Sequence, residues 1–173
     1  MSKNILITGY PGVGKTTLLK RLIDKLDCLV GGFYTHEMLV HGKRCGFYIT
    51  DFEGNQMVMA SEKSKSPYRV NKYGVNIEAF EKIGIPAMER VLEQSYLIVI
   101  DEIGRMEMFS PKFCEKLREV FDSDKPLLAT IKKIDCELTK ELKAREDVQI
   151  FEVTPQNRNE ISNKILCEVV TLL

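Results

Sequence analysis

Between Gly9 and Thr16 the chain reads Gly9-Tyr10-Pro11-Gly12-Val13-Gly14-Lys15-Thr16, three glycines followed by a lysine and a hydroxyl. Glycines at 9, 12 and 14 let the backbone turn tightly and aim several N–H groups at one anion, with no Cβ in the way. Lys15 can then reach the β- and γ-phosphates of a nucleotide, and the Thr16 hydroxyl can hold Mg²⁺. Far along the chain, Asp101 and Glu102 close the apolar run Tyr96-Leu97-Ile98-Val99-Ile100. Adjacent residues leaving a strand point in different directions, so two neighbouring carboxylates can take different jobs. Asp101 is expected to complete a Mg²⁺ shell beside Thr16, and Glu102 to orient and deprotonate an attacking water.

Other polar residues compete for the same site. Arg105 follows the two carboxylates closely and could stabilise charge on a γ-phosphate; its plainer alternative is a surface pair with Glu107. Thr130, near the end of another strand, could sense the γ-phosphate. Asn157 and Arg158 could line the base or the phosphates, or simply form the first turn of a helix. Thr35, Glu37 and Asn76 are weaker candidates. The residues expected to contact nucleotide are Gly9, Tyr10, Pro11, Gly12, Val13, Gly14, Lys15, Thr16 and Thr17 in the loop. Ile100, Asp101, Glu102, Ile103 and Gly104 join them at the strand end, with Asn157 and Arg158 beyond.

Such residues work only if strands and helices bring them together. Asn4 to Thr8 is short, apolar and bounded by glycine, which reads as a buried strand. From Lys15 the period changes: Leu18, Leu19, Leu22, Ile23 and Leu26 recur at helical spacing. Strand, glycine-rich turn and helix are the context a phosphate loop requires. Leu29 to Thr35, Cys45 to Thr50 and Gln56 to Ala60 read as a small antiparallel meander, with turns at 41–44 and 53–55. Ser61 to Ser66 is an exposed loop. Ile77 to about Gln94 is helical, with a kink or break expected at Gly84 and Pro86.

The run from Tyr96 to Ile100 lacks alternation, the mark of a central parallel strand covered on both faces. Ser110-Pro111 should open a helix to about Asp122. Strands over 126–131 and 148–153 flank a short helix over 137–145, and Thr154-Pro155 is expected to cap a last helix. Strands alternating with helices predict one domain over residues 1–173. Its fold would be α/β, a doubly wound, mainly parallel sheet with a small inserted antiparallel hairpin.

Composition narrows the function classes. The chain has 173 residues, 44% apolar and 29% charged, with a net charge of zero. That argues against broad electrostatic capture of nucleic acid or of an acidic membrane. No apolar run approaches membrane-spanning length, and a cytoplasmic monomer is expected. The cysteines at 28, 45, 114, 136 and 167 are scattered, as reduced thiols are. His36 and His41 make a weak metal case beside a solvated reading.

Taken together, Gly9 to Thr17, Phe33-Tyr34-Thr35-His36-Glu37, Tyr73-Gly74-Val75-Asn76, Asp101 to Glu107 and Thr154 to Arg158 resemble one family along essentially the whole chain. It is the small P-loop nucleoside-triphosphatase family described from thermophiles, which has a vertebrate member, the cancer-related nucleoside triphosphatase. The resemblance implies a RecA-like sheet and slow, Mg²⁺-dependent hydrolysis of several nucleoside triphosphates. It also implies that Glu102, Arg105 and Glu107 lie in the catalytic zone, and Asn157-Arg158 near the base. Two other readings stay open on the residues themselves. One is a small-molecule or nucleotide kinase, although the arginines are spread out and show no lid. The other is a nucleotide-dependent switch whose hydrolysis resets a protein partner. The stretch Thr130 to Asp135 has no Asn-Lys-x-Asp pairing, so weak discrimination among bases is expected.

Overall fold

The computed structural model describes residues 2–94 and 97–173. In chain order the elements are β1 (Asn4–Thr8), α1 (Lys15–Ile23), β2 (Val30–Val40), β3 (Lys43–Asp51), β4 (Gln56–Ser61), β5 (Arg69–Val70) and β6 (Tyr73–Val75). There follow α2 (Ile77–Ala79), α3 (Ile85–Gln94), β7 (Leu97–Ile103), α4 (Pro111–Asp122), β8 (Leu127–Ile131), α5 (Glu137–Lys143), β9 (Val148–Glu152) and α6 (Arg158–Leu172). Tyr96, expected to begin the β7 strand, lies outside the described residues. All the described strands join one sheet in the order β5-β6-β4-β3-β2-β7-β8-β1-β9.

The apolar strands behave as expected for a doubly wound sheet. Ile5, Ile7, Leu97, Val99 and Leu128 pack with α1 and α6 through Leu18, Leu22, Ile165 and Val169. Their neighbours Leu6, Ile98, Ile100 and Ala129 turn to the other face and pack with Met88, Phe113, Leu117 and Leu142. Alternation along one strand thus feeds two cores, which is why these runs carry no polar face.

Expectations about the sheet, the helix around Gly84 and the last helix need correction or refinement. The sheet is not mainly parallel: β1, β2, β7, β8 and β9 make four parallel pairings, and β2 to β6 make four antiparallel ones. Nor is the antiparallel part a small inserted hairpin. It continues the same sheet from β2, whose first half pairs with β7 and whose second half pairs with β3. The strands β5 and β6, two and three residues long, are too brief to stand out in the sequence. Around Gly84 and Pro86 the α-helix is interrupted as expected, though by a change of winding and not by a break in the helix. A wider π-helical turn over Phe80–Gly84 joins α2 to α3. Proline offers no N–H and its ring would meet the carbonyl four residues back, so a locally widened turn relieves both problems. Finally, α6 starts at Arg158 with Asn157 at its cap, three residues later than Thr154-Pro155 suggests.

One helix start and one hairpin turn match the sequence closely. Ser110 Oγ accepts from the Phe113 N–H at 3.2 Å, with Pro111 at the first helical position of α4. The hairpin turn between β2 and β3 is His41-Gly42, both with positive φ, as a two-residue type I′ connection needs. Ser61 to Ser66 closes on itself, Ser64 N–H donating to the Ser61 carbonyl at 3.2 Å.

Candidate functional site

Parallel strands end on a common edge, and the candidate residues gather there. The loop after β1 turns through Gly9, Gly12 and Gly14, all with positive φ. A Cβ on Gly9 would stand 2.6 Å from the Val153 carbonyl oxygen, so the loop lies directly against the end of β9. Gly14 takes a left-handed conformation as the N-cap of α1, a position where other residues are disfavoured. The loop therefore presents the N-terminus of α1, with its unpaired N–H groups and positive dipole end, to the sheet edge.

Lys15 folds back over this loop and is only 6% exposed. Its ammonium donates to the Gly9 carbonyl at 2.9 Å and the Tyr10 carbonyl at 3.4 Å. It also lies 3.7 Å from Glu102 Oε2. Asp101 is 1% exposed, and its Oδ1 accepts from the Thr16 hydroxyl at 3.3 Å and from the Thr130 hydroxyl in a short bond. Burial pushes the Asp101 carboxyl above the ordinary range, against the pull of the Thr130 and Thr16 hydroxyls, and the neighbouring Glu102 charge adds to the rise. Three separate elements thus meet at one carboxylate.

Glu102 leaves β7 toward the loop lysine and has a second cation: Lys132 Nζ lies 2.7 Å from Glu102 Oε1. The Glu107 carboxylate is buried, 3% exposed, and accepts from the Gly104 N–H at 3.0 Å. It is not at the surface, so a surface pair with Arg105 does not occur, and Arg105 itself is exposed. Burial raises the Glu107 carboxyl to about 7, and the Glu102 charge contributes to that rise. Tyr10, Pro11, Gly12 and Thr17 are exposed around the loop, while Ile100, Ile103 and Gly104 are buried parts of the strand end.

Asn157 and Arg158 follow β9, the neighbour of β1. Asn157 Oδ1 accepts from the Thr154 N–H at 2.8 Å and its Nδ2 donates to the Glu152 carbonyl at 2.9 Å, so this side chain fastens the turn into α6. Arg158 is exposed beside it. Of the weaker candidates, Glu37 pairs with Arg44 and Asn76 Nδ2 bonds the Val58 carbonyl, both away from the loop. His36 stacks between Tyr34 and Tyr48.

Whether Mg²⁺ suits these residues can be judged from the donors. Among the described residues no group of three or more His, Cys, Asp or Glu could hold a metal. The Thr16 hydroxyl and the Asp101 carboxylate are, however, hard oxygen donors within reach of each other. Mg²⁺ is commonly held by one or two such groups together with substrate phosphates and water, so the pair fits.

Lys132 is the residue that sequence reasoning missed. It lies in an exposed-looking Lys132-Lys133 pair with no motif around it. Only the parallel pairing of β7 with β8 brings it beside Glu102.

Comparison with known proteins gives consistent results. A family model described as NTPase matches residues 4–166. A protein named nucleoside-triphosphatase THEP1 from Thermotoga sp. (strain RQ2) is 49% identical over 162 residues, covering 94% of this chain and 92% of that protein. One of the same name from Methanocaldococcus jannaschii is 38% identical, covering 96% of each. Among solved structures, THEP1 from Aquifex aeolicus superposes with a TM-score of 0.87 at 38% identity, covering 96% of this chain and 98% of that one. The solution structure of a human cancer-related nucleoside triphosphatase gives 0.82 at 32% identity, covering 97% of both. Among the described residues, no helix is long and apolar enough to cross a membrane.

Proposed function

The chain belongs to the nucleoside-triphosphatase family, and from that premise we propose that it is a P-loop enzyme hydrolysing nucleoside 5′-triphosphates to nucleoside diphosphate and phosphate. The observation that carries the reading is the meeting of Lys15 and Glu102, 3.7 Å apart, at the edge where β1 and β7 end. A phosphate-binding cation and a carboxylate able to take a proton from water there face the same small volume.

The residues divide the work. Loop N–H groups and the start of α1 receive the phosphates, and Lys15 turns from the Gly9 and Tyr10 carbonyls to their oxygens. Glu102 takes a proton from the attacking water as its oxygen bonds to the γ-phosphorus. The bond from that phosphorus to the β,γ-bridging oxygen breaks, and the diphosphate leaves with the bond's electron pair. Thr16 and Asp101 would hold Mg²⁺, which when bound supplies further neutralisation of the phosphate charge. Thr130 fixes the Asp101 carboxylate through its short bond. Asn157 is engaged by backbone and Arg158 is exposed beside it, and the stretch Thr130 to Asp135 has no Asn-Lys-x-Asp pairing, so base selectivity is weak. Slow turnover by a cytoplasmic monomer completes the reading.

The test is phosphate release from Mg·ATP and Mg·GTP by wild type and by Glu102→Gln, with nucleotide binding measured alongside. The expected result is a fall of about a hundredfold or more in release, with binding retained. Wild type that binds both nucleotides but releases no phosphate, or passes it to a nucleoside or sugar faster than to water, overturns the reading. A preference above about a hundredfold for one base in competition binding sinks the selectivity claim, since it corresponds to about 2.7 kcal/mol of discrimination.

A further inference from the structure

Each carboxylate oxygen of Glu102 lies within ion-pairing distance of a different lysine, and the buried Oε1 has no hydrogen-bond partner, which leaves the Lys132 ion pair as its contact. Lys15 faces Oε2 at 3.7 Å, and Lys132 faces Oε1 at 2.7 Å. The two lysines differ in what else they can do. Lys15 also spends donors on the Gly9 and Tyr10 carbonyls, partners that phosphate oxygens would replace. Lys132 sits one residue past β8, with its N–H bonded to the Ile103 carbonyl at 3.0 Å. Its own carbonyl accepts from Lys143 Nζ at 2.7 Å.

The stem of Lys132 crosses Gly104, where a Cβ would stand 2.9 Å from Lys132 Cγ. Backbone and stem are therefore held while the side chain as a whole stays 52% exposed. An ion pair this open adds little to stability, so fold maintenance is a weak account of it.

We propose that Lys132 is the positioning residue for Glu102, and that nucleotide binding hands the carboxylate from Lys15 to Lys132. The idea rests on the hydrolytic reading above and deepens it. When phosphates draw Lys15 away, Oε1 stays held by Lys132 and Oε2 becomes free. Oε2 is the oxygen on the Lys15 side, hence the phosphate side. It is the atom that takes the proton from water, and Lys132 keeps it aimed there.

Three variants and one cross-link test this. Lys132→Met is expected to lower kcat about ten- to hundredfold while nucleotide affinity stays within about twofold, and Lys132→Arg to restore most of the rate. In a Glu102→Gln background, Lys132→Met should cost nothing more, because the group it positions is gone. A Lys132→Met enzyme at wild-type kcat overturns the proposal. So does an equal loss in both backgrounds, or weakened triphosphate binding with diphosphate binding unchanged, which would make Lys132 a phosphate ligand.

A zero-length carbodiimide cross-link read by mass spectrometry separates this proposal from the hydrolytic one. With a non-hydrolysable triphosphate analogue bound, the Lys132–Glu102 amide should persist and the Lys15–Glu102 amide should vanish. Loss of the Lys132–Glu102 link on nucleotide binding overturns the handoff even if hydrolysis is confirmed. Its persistence in a protein that releases no phosphate keeps the handoff and refutes only the hydrolytic reading.

Discussion

On the parallel side of the sheet, Lys15, Asp101 and Glu107 are all nearly out of reach of water. On the antiparallel side, Arg44 pairs with Glu37 and Lys72 with Glu62 in side chains that are largely in solvent. The first set is crossed by hydroxyls and backbone groups from several elements, while the second adds only the Tyr73 hydroxyl, which accepts from Arg44. The buried charge of the antiparallel part, Asp51 at the end of β3, is likewise answered by several donors: Arg90, Asn55 and two backbone N–H groups. Buried charge is sustained only where several partners answer it. Parallel strands all finish on one edge, so their last residues converge, whereas antiparallel neighbours send alternate ends to opposite edges. The antiparallel wing, formed by β3 to β6 and the second half of β2, does hold a cleft of about 380 Å³ between β4, β6 and α2. Yet Ser64 and Ser66 there spend their hydroxyl oxygens on the N–H groups of Ser66 and Tyr68. Topology, more than cleft size, decides where chemistry can gather.

The strongest way to break that contrast is to remove the buried cation. Lys15→Ala should reduce hydrolysis at least about a thousandfold, roughly 4 kcal/mol of transition-state stabilisation, with much weaker triphosphate binding. Calorimetric binding and phosphate release read it, and retention of more than a tenth of the activity would remove Lys15 from the centre.

Next is the seam. Phe33 lies in β2, pairs with Ile100 on one side and Asp51 on the other, and meets Phe113 edge-on at 5.6 Å. Phe33→Ala should cost about 3–5 kcal/mol in a single urea transition. Two separate transitions would mean that the wing unfolds on its own.

The buried acid gives a pH test. Burial raises the folded Glu107 carboxyl to about 7 from an ordinary 4.5. Between those values the folded state binds more protons than the unfolded, so this contribution to stability is full below about 4.5 and lost as pH rises through about 7. Glu107→Gln should therefore gain on wild type by on the order of 3 kcal/mol between pH 4.5 and neutrality. Urea unfolding of both proteins across that range measures it, and parallel pH profiles would show that the carboxyl is not so perturbed. At the small end, Arg44→Ala should cost less than about 1 kcal/mol and leave hydrolysis unchanged. An altered rate would tie the wing to the site.

Much of this was legible in residue types and spacing. The loop from Gly9 to Thr16 needs particular backbone freedom and a lysine at a set distance, both local properties. The apolar runs of β1 and β7 announce burial on two faces, and Ser110-Pro111 announces a helix start, because caps and periods are written in neighbouring residues. Strand pairing is not local. That β2 would serve both halves of the sheet depends on which edges find partners, and strands of two or three residues such as β5 and β6 leave little periodic trace. The exposure of Arg105 and the depth of Glu107, two residues apart, were set by the turn after β7 packing onto α4. Lys132 looked like one of two solvated lysines and became a neighbour of Glu102 only because β8 lies in register beside β7. The sequence by itself determined the groups able to bind phosphate and the elements carrying them. The tertiary structure decided which charges share a buried volume, because burial and distance arise from pairings between segments far apart in the chain.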